Sequence, residues 1–239
     1  GSEFLVYDET LVNSLMLTTL EGKEPTLNMG QTRWYKKLDA HATYVVALDP
    51  AMGTGGDNAA IEVFELPSYT QVAEWKHNTT PIPQQIRIMR DICNYIKEET
   101  KSTGSNIYWS VENNTIGESA LLVINDFGED SIPGLFVSEP IRKGHIRKFR
   151  KGFNTTHKTK ITACSRLKNM IEKEKLKINS KPLISELKSF IASGSSFKAK
   201  SGATDDLVSA TLLIMRIISV LKDWDPKIYT SFSQADEDT

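Results

Sequence analysis

The sequence predicts an α/β fold, a mixed central sheet with helices on both faces. Three observations lead to it. Thr43 to Leu48 (TYVVAL) is a short, apolar, β-branched run, the pattern of a buried strand. Ala59 to Leu66 and Gln71 to His77 alternate as two further strands joined at Pro67-Ser68, which gives three antiparallel strands at the start of the domain. From Ile82 onward, helical and strand-like segments take turns, and that order brings a sheet its covering helices.

The elements follow in order. Ile82, Ile86, Met89, Cys93 and Ile96 recur at spacings of four and three residues, one face of a helix from about residue 82 to 99. Ile107 to Val111 is a buried strand that ends at Glu112. Residues 117–127 read as a helix stopped by Gly128, and residues 135–138 as a short strand. A basic segment comes next, then a helix over about 158–173, two short elements near 176–178 and 184–191, and a last helix from Asp205 to about Leu221. The domain is therefore expected over residues 41–226. Residues 1–4 (Gly-Ser-Glu-Phe) read as a cloning scar, 5–40 as a lead-in or linker with some helix, and 227–239 as a flexible acidic tail.

Composition narrows the function classes. At 39% hydrophobic and 25% charged residues, the chain is an ordinary globular domain and not a disordered one. No apolar run approaches the roughly 20 residues that cross a bilayer, so no membrane partner is expected. Cys93 and Cys164 show no C-x-x-C spacing and read as reduced core thiols, and the four histidines show no ligand spacing. Net charge is only −1, yet Arg142, Lys143, Arg147, Lys148, Arg150, Lys151, Lys158 and Lys160 fall within one stretch that holds no acid. The rest of the chain is strongly acidic by difference. Such a concentrated basic segment is the electrostatic signature of an anionic partner.

Four carboxylates stand out by position. Asp49 ends the first predicted strand, Glu112 ends the fourth, and Asp205 and Asp206 open the last helix. If the first and fourth strands are parallel neighbours, Asp49 and Glu112 emerge at one sheet edge, and an acid from the final helix closes the cluster. Carboxylates held close repel one another and are tolerated mainly with cations. Mg2+ and Mn2+ favour such hard oxygen ligands, and two ions about 4 Å apart can drive phosphodiester cleavage. Each acid also has an ordinary role open to it. Asp49-Pro50 is a turn pair, Glu112 can help to cap the next helix, and Asp205 or Asp206 can be a helix N-cap. Asp57, after the glycine turn of residues 53–56, is a weaker candidate for an outer ligand. Asn113 and Asn114 adjoin Glu112 and can orient it.

The motifs LDPAMGTGGDNAAI (48–61), YWSVENNTIGE (108–118), RKGHIRKFRKGFNTT (142–156) and GATDDLVSA (202–210), in that order, closely resemble the nuclease domain of the large terminase subunit of T-even-type tailed phages. The resemblance covers most of residues 41–226. It implies a ribonuclease H-like fold of the resolvase and integrase type, and a Mg2+- or Mn2+-dependent endonuclease, with two ions, that cuts concatemeric DNA in headful packaging. It further implies Asp49, Glu112 and the Asp205–Asp206 pair as the catalytic acids. The implied partners are the portal protein of the procapsid, the small terminase subunit and an N-terminal ATPase domain, with the portal vertex in the host cytoplasm as the place of action.

Two other readings compete. An inactive module that only grips DNA and docks to the portal would need the basic segment but not the acids. A nucleotide-binding domain would use the 53–56 turn as a phosphate cradle, but that turn lacks the Lys and the directly following helix of a P-loop.

Overall fold

The computed structural model describes residues 3–16, 31–113, 116–143 and 146–224; of residues 141–143 and 146–150 it describes the backbone alone. A six-stranded sheet forms its centre. Strands β3 (Thr43–Asp49), β4 (Ala59–Leu66) and β5 (Thr70–His77) run antiparallel to one another, and β2 (Arg33–Trp34) extends the β5 edge. On the other side of β3, strand β6 (Ile107–Val111) pairs in parallel, followed by β7 (Leu135–Phe136), for the order β2-β5-β4-β3-β6-β7. The parallel step from β3 to β6 requires a crossover. Helix α2 (Ile82–Thr100) supplies it, and α3 (Gly117–Phe127) supplies the next, from β6 to β7.

Side chains alternate across a strand, so each strand here feeds two cores. Tyr44, Val46 and Leu48 of β3 pack with Ile107, Trp109 and Val111 of β6 and the apolar face of α2, including Ile86, Met89, Cys93 and Ile96. Val45 and Ala47 face the opposite way. There they meet α4 (His157–Glu172), α5 (Lys181–Lys188) and α6 (Asp206–Trp224) through Leu167, Leu187, Leu213 and Ile217. The sheet is therefore covered on both faces, and Asp49, in phase with Val45 and Ala47, falls on the α4–α6 side.

A second sheet of three short strands, β1 (Glu3–Leu5), β10 (Phe190–Ser193) and β11 (Ser196–Ala199), lies beside the α4–α6 layer. Through it, residues 3–5, read from the sequence as the end of a scar and the start of a lead-in, join a sheet. β1 pairs antiparallel with β10, and Tyr7 and Val12, the latter on α1 (Glu9–Met16), are buried in the main core. The physical reason is the exposed edge that β10 would otherwise present, with unpaired backbone groups on one side. Residues 17–30 and 225–239, which include the expected tail, lie outside the described residues. The short element expected near 184–191 resolves into two, the end of α5 and β10. The basic segment forms a hairpin, β8 (Glu139–Lys143) against β9 (Ile146–Arg150), in which Arg142 pairs with Arg147.

Candidate active site

The register of the parallel pair sets the site. Leu48 lies opposite Val111, and the Glu112 amide donates to the Leu48 carbonyl at 3.0 Å, so Asp49 and Glu112 leave the sheet side by side at the carboxyl ends of β3 and β6. Because Ile107, Trp109 and Val111 fill the α2 face, Glu112 takes the opposite phase and points with Asp49 toward α4 and α6. Together they line a pocket of about 140 Å3 with Thr155, Lys160, Ser209, Leu212, Leu213 and Arg216.

The α6 acids are near enough for their charges to act on Asp49, and they differ. Asp205 is the N-cap residue: its carbonyl accepts the Ser209 amide at 2.8 Å, while its side chain turns away to the Ala199 amide at 3.1 Å. Asp206, the first helical residue, is buried and takes a hydrogen bond from Asn58 Nδ2 on Oδ2 at 3.2 Å. Asp57 itself is exposed. It reaches the cluster only through its charge, which adds to the upward push on Asp206.

Electrostatics ties the group together. The carboxyl of Asp49 is held well above the ordinary range, first by burial, then by the negative charges of Glu112, Asp206 and Asp205, against a smaller opposing effect of Lys160. Burial also raises Glu112, opposed by the Thr155 hydroxyl and by Arg216. It raises Asp206 too, opposed by Asn58. Among the described residues, no three acidic, histidine or cysteine side chains are arranged to close around one ion as they stand. The donor chemistry nevertheless fits a divalent cation. All the ligand atoms available are hard oxygens, and the acids destabilise one another's charge in a way that a cation relieves.

Three residues outside the sequence expectation support the acids. The Thr155 hydroxyl donates to Glu112 Oε1. Arg216 donates to Thr155 Oγ1 at 3.2 Å, to the Asn154 carbonyl at 2.9 Å and to Glu139 Oε1 at 3.0 Å, and its guanidinium lies over the Phe153 ring. Asn58 is the third. The NTT run of residues 154–156 beside the basic segment was the available signal for Thr155; nothing local marks Arg216 or Asn58. Gly152 allows this loop to come close, since at φ 69° a Cβ there would lie 2.7 Å from the Val111 carbonyl.

The basic residues divide. Arg142, Lys143, Arg147, Lys148 and Arg150 sit on the β8–β9 hairpin, and their side chains lie outside the described part of the structure. Lys151 is exposed and pairs with Glu129 at 2.6 Å. Lys158 is exposed in a groove between α4 and α6 that also holds Arg166 and Arg216. Lys160, expected on a DNA-guiding surface beside the acids, lines the acid pocket and donates to the Phe197 carbonyl. Asn113 braces the loop through the Lys151 carbonyl at 3.1 Å, and Asn114 lies outside the described residues. The 53–56 turn does not lead into a helix; Gly53 packs so closely on the backbone of Thr80 that a Cβ would lie 2.3 Å from its carbonyl oxygen.

An acid pair at the carboxyl ends of two adjacent parallel strands, three antiparallel strands before the crossover, and a final helix bringing further acids define a ribonuclease H-like domain. The chain belongs to the terminase RNaseH-like domain family, Terminase_6C, whose sequence model matches residues 46–216. Solved structures agree in fold. The large terminase nuclease of thermophilic phage G20c with bound magnesium is similar at TM-score 0.60 and 15% identity, over 86% of this chain and 96% of that one. The Thermus phage P74-26 large terminase nuclease domain matches at 0.53 and 16%, over 85% and 92%. The human cytomegalovirus terminase nuclease domain, manganese-soaked with an inhibitor, matches at 0.54 and 12%, over 95% and 98%.

Proposed function

We propose that this domain is a divalent-metal-dependent endonuclease that cuts double-stranded viral DNA during genome packaging. The observation that carries the reading is the pocket itself, in which Asp49 and Glu112 converge beside Asp206, with Lys160 and Arg216 on the walls. Asp49, Glu112 and Asp206 would hold Mg2+ or Mn2+, as two ions, with Asp205 and Asp57 acting on them by charge. Bound there, the ions would supply Lewis-acid activation of water and neutralise the charge that develops on the phosphate.

The protein's own groups do the rest. Thr155 fixes the orientation of Glu112, and Asn58 fixes that of Asp206. Lys160 adds a positive charge against a phosphate, and the β8–β9 hairpin with Lys151 and Lys158 holds the flanking backbone. Phosphate contacts carry no base information, which suits cutting by amount packaged and not at a fixed sequence. The family match supports a setting in the packaging motor; we further propose a portal protein, a small terminase subunit and an ATPase domain as partners, and the procapsid portal vertex in the host cytoplasm as the place of action.

Incubation of the domain with plasmid DNA and Mn2+ or Mg2+ tests the proposal. Nicking and linearisation that chelator abolishes, and that Asp49→Asn lacks, are expected. DNA binding without any metal-dependent cutting would leave a module that grips DNA and does not cleave it.

A further inference from the structure

We infer that Glu186 is a positioning residue for the metal-binding acids, acting as the helix cap that α6 does not supply for itself. A helix leaves its first N–H groups without partners, and an N-cap Asp ordinarily accepts from one of them. In α6 the N-cap Asp205 spends its carboxylate on the Ala199 amide of β11. The duty passes to Glu186 on α5. Its Oε1 accepts the amides of Leu207 at 2.8 Å and Val208 at 3.1 Å, and its Oε2 accepts the Thr204 hydroxyl at 3.1 Å, just before the acid pair. The contacts bracket Asp205 and Asp206 on both sides in sequence.

Glu186 is itself anchored. It is buried at 4% exposure. Its helix begins at Ser180, whose hydroxyl caps the Leu183 amide at 3.1 Å and donates to Glu74 Oε1 at 2.8 Å. The backbone amides of Asn179 and Ser180 both bond Gln71 Oε1 at 2.9 Å, which pins the start of α5 to β5 in the central sheet. A continuous path of buried hydrogen bonds thus runs from β5 through α5 to the end of α6 that carries Asp206. A cap formed by Asp205 itself would draw that carboxylate onto its own helix. Capping from α5 fixes the helix end that carries Asp206, whose side chain meets Asn58, while Asp205 stays on the Ala199 amide.

This inference rests on the nuclease reading for its activity arm, so the test includes metal binding read independently, as Mn2+ bound to the domain by electron paramagnetic resonance. Two variants separate reach from charge. E186Q keeps an acceptor oxygen at the same distance from the Leu207 and Val208 amides, and the Thr204 hydroxyl can turn to meet the amide. E186D keeps the charge but withdraws the carboxylate by one methylene. The expected result is a Mn2+ half-saturation near wild type for E186Q and about tenfold higher for E186D, the usual scale for partners that orient metal ligands. Cutting by E186D should largely recover at saturating Mn2+. Thermal melting in chelator controls for general destabilisation. Wild-type half-saturation in both variants, or equal weakening in both, overturns the positioning role. A wild-type domain that neither binds Mn2+ nor cuts plasmid would instead remove the nuclease reading.

Discussion

Thr155 donates its hydroxyl to Glu112 Oε1, and Arg216 donates to that same hydroxyl at 3.2 Å. One acid of the site is therefore held by a relay from α6, the helix that also carries Asp206. Thr155→Val keeps the shape of the side chain and removes the donor. We expect cutting to slow by about 10- to 100-fold, while chemical denaturation shows a loss of about 1–3 kcal/mol with the fold kept. Wild-type turnover in a folded T155V domain would show that Glu112 needs no such support.

The acids themselves should respond differently with and without metal. Asp49→Asn and Glu112→Gln should each nearly abolish cutting. In chelator, both should melt at or above the wild-type temperature, because burial and mutual repulsion already disfavour the charged forms. Nuclease assays and thermal melts on the same preparations check both halves. Substantial residual cutting by either variant removes that residue from the mechanism.

The two α6 acids should separate. Asp206 is buried against Asn58, and its charge acts on Asp49 more strongly than that of Asp205. Asp205 is half-exposed and committed to the Ala199 amide. Asp205 is the N-cap and Asp206 the first helical residue, and their carboxylates have different partners, so their roles should differ. Asp206→Asn should lose nearly all cutting and Mn2+ binding. Asp205→Asn should keep both within about tenfold, because an amide oxygen can still accept from Ala199. The opposite ranking in a single-turnover assay would make Asp205 the ligand.

The fold was legible where the signal is local. TYVVAL reads as a buried strand and the four-and-three spacing of α2 as a helix face, and both form. That Asp49 and Glu112 share a sheet end depended on the first and fourth strands pairing in parallel, as β3 and β6 do. The supports were hidden because they are long-range: Asn58 and Asp206 are 148 residues apart, and Arg216 and Thr155 are 61 apart. Glu186 looks like any helical glutamate until α5 is seen against α6. Likewise, residues 3 and 4 read as part of a scar and 5–16 as polar lead-in because the strand that pairs with β1 lies near the other end of the chain.

Metal-free stability should fall as pH rises from mildly acidic toward alkaline values. Asp49, Glu62, Glu112, Asp206 and Glu186 are all raised, chiefly by burial, and Glu186 is raised to about 7. Between a carboxyl's ordinary value and its raised folded value, the folded state binds the proton and the unfolded state does not. Stability is therefore full below the unfolded pKa and is lost as pH climbs through the window, which for Glu186 runs from 4.5 to about 7. Melting in chelator should drop by several degrees across it, and saturating Mn2+ or Mg2+ at the upper end should restore the loss by binding only the folded form. A melting temperature that climbs with pH in chelator would contradict this.

The hairpin and the pocket lysine should be separable by salt. The acids repel phosphate until cations bind, so affinity for DNA has to come from elsewhere, and eight of the 29 Lys and Arg lie in the one stretch from Arg142 to Lys160. Arg147, Lys148 and Arg150 sit on β9, and Lys151 follows it, exposed beside Glu129. Replacing these four by Ala should weaken DNA binding without regard to sequence. It should also make the log–log salt dependence shallower by up to about 0.9 for each phosphate contact removed. Lys160 is different, because it lies inside the acid pocket and is tied to the Phe197 carbonyl. Lys160→Ala should slow cutting by about 10-fold or more at saturating DNA while leaving the salt slope nearly intact. Fluorescence anisotropy across a salt series, run beside single-turnover cutting, measures both. If the quadruple variant keeps the wild-type affinity and slope, the DNA crosses another face, such as the α4–α6 groove that holds Lys158 and Arg166.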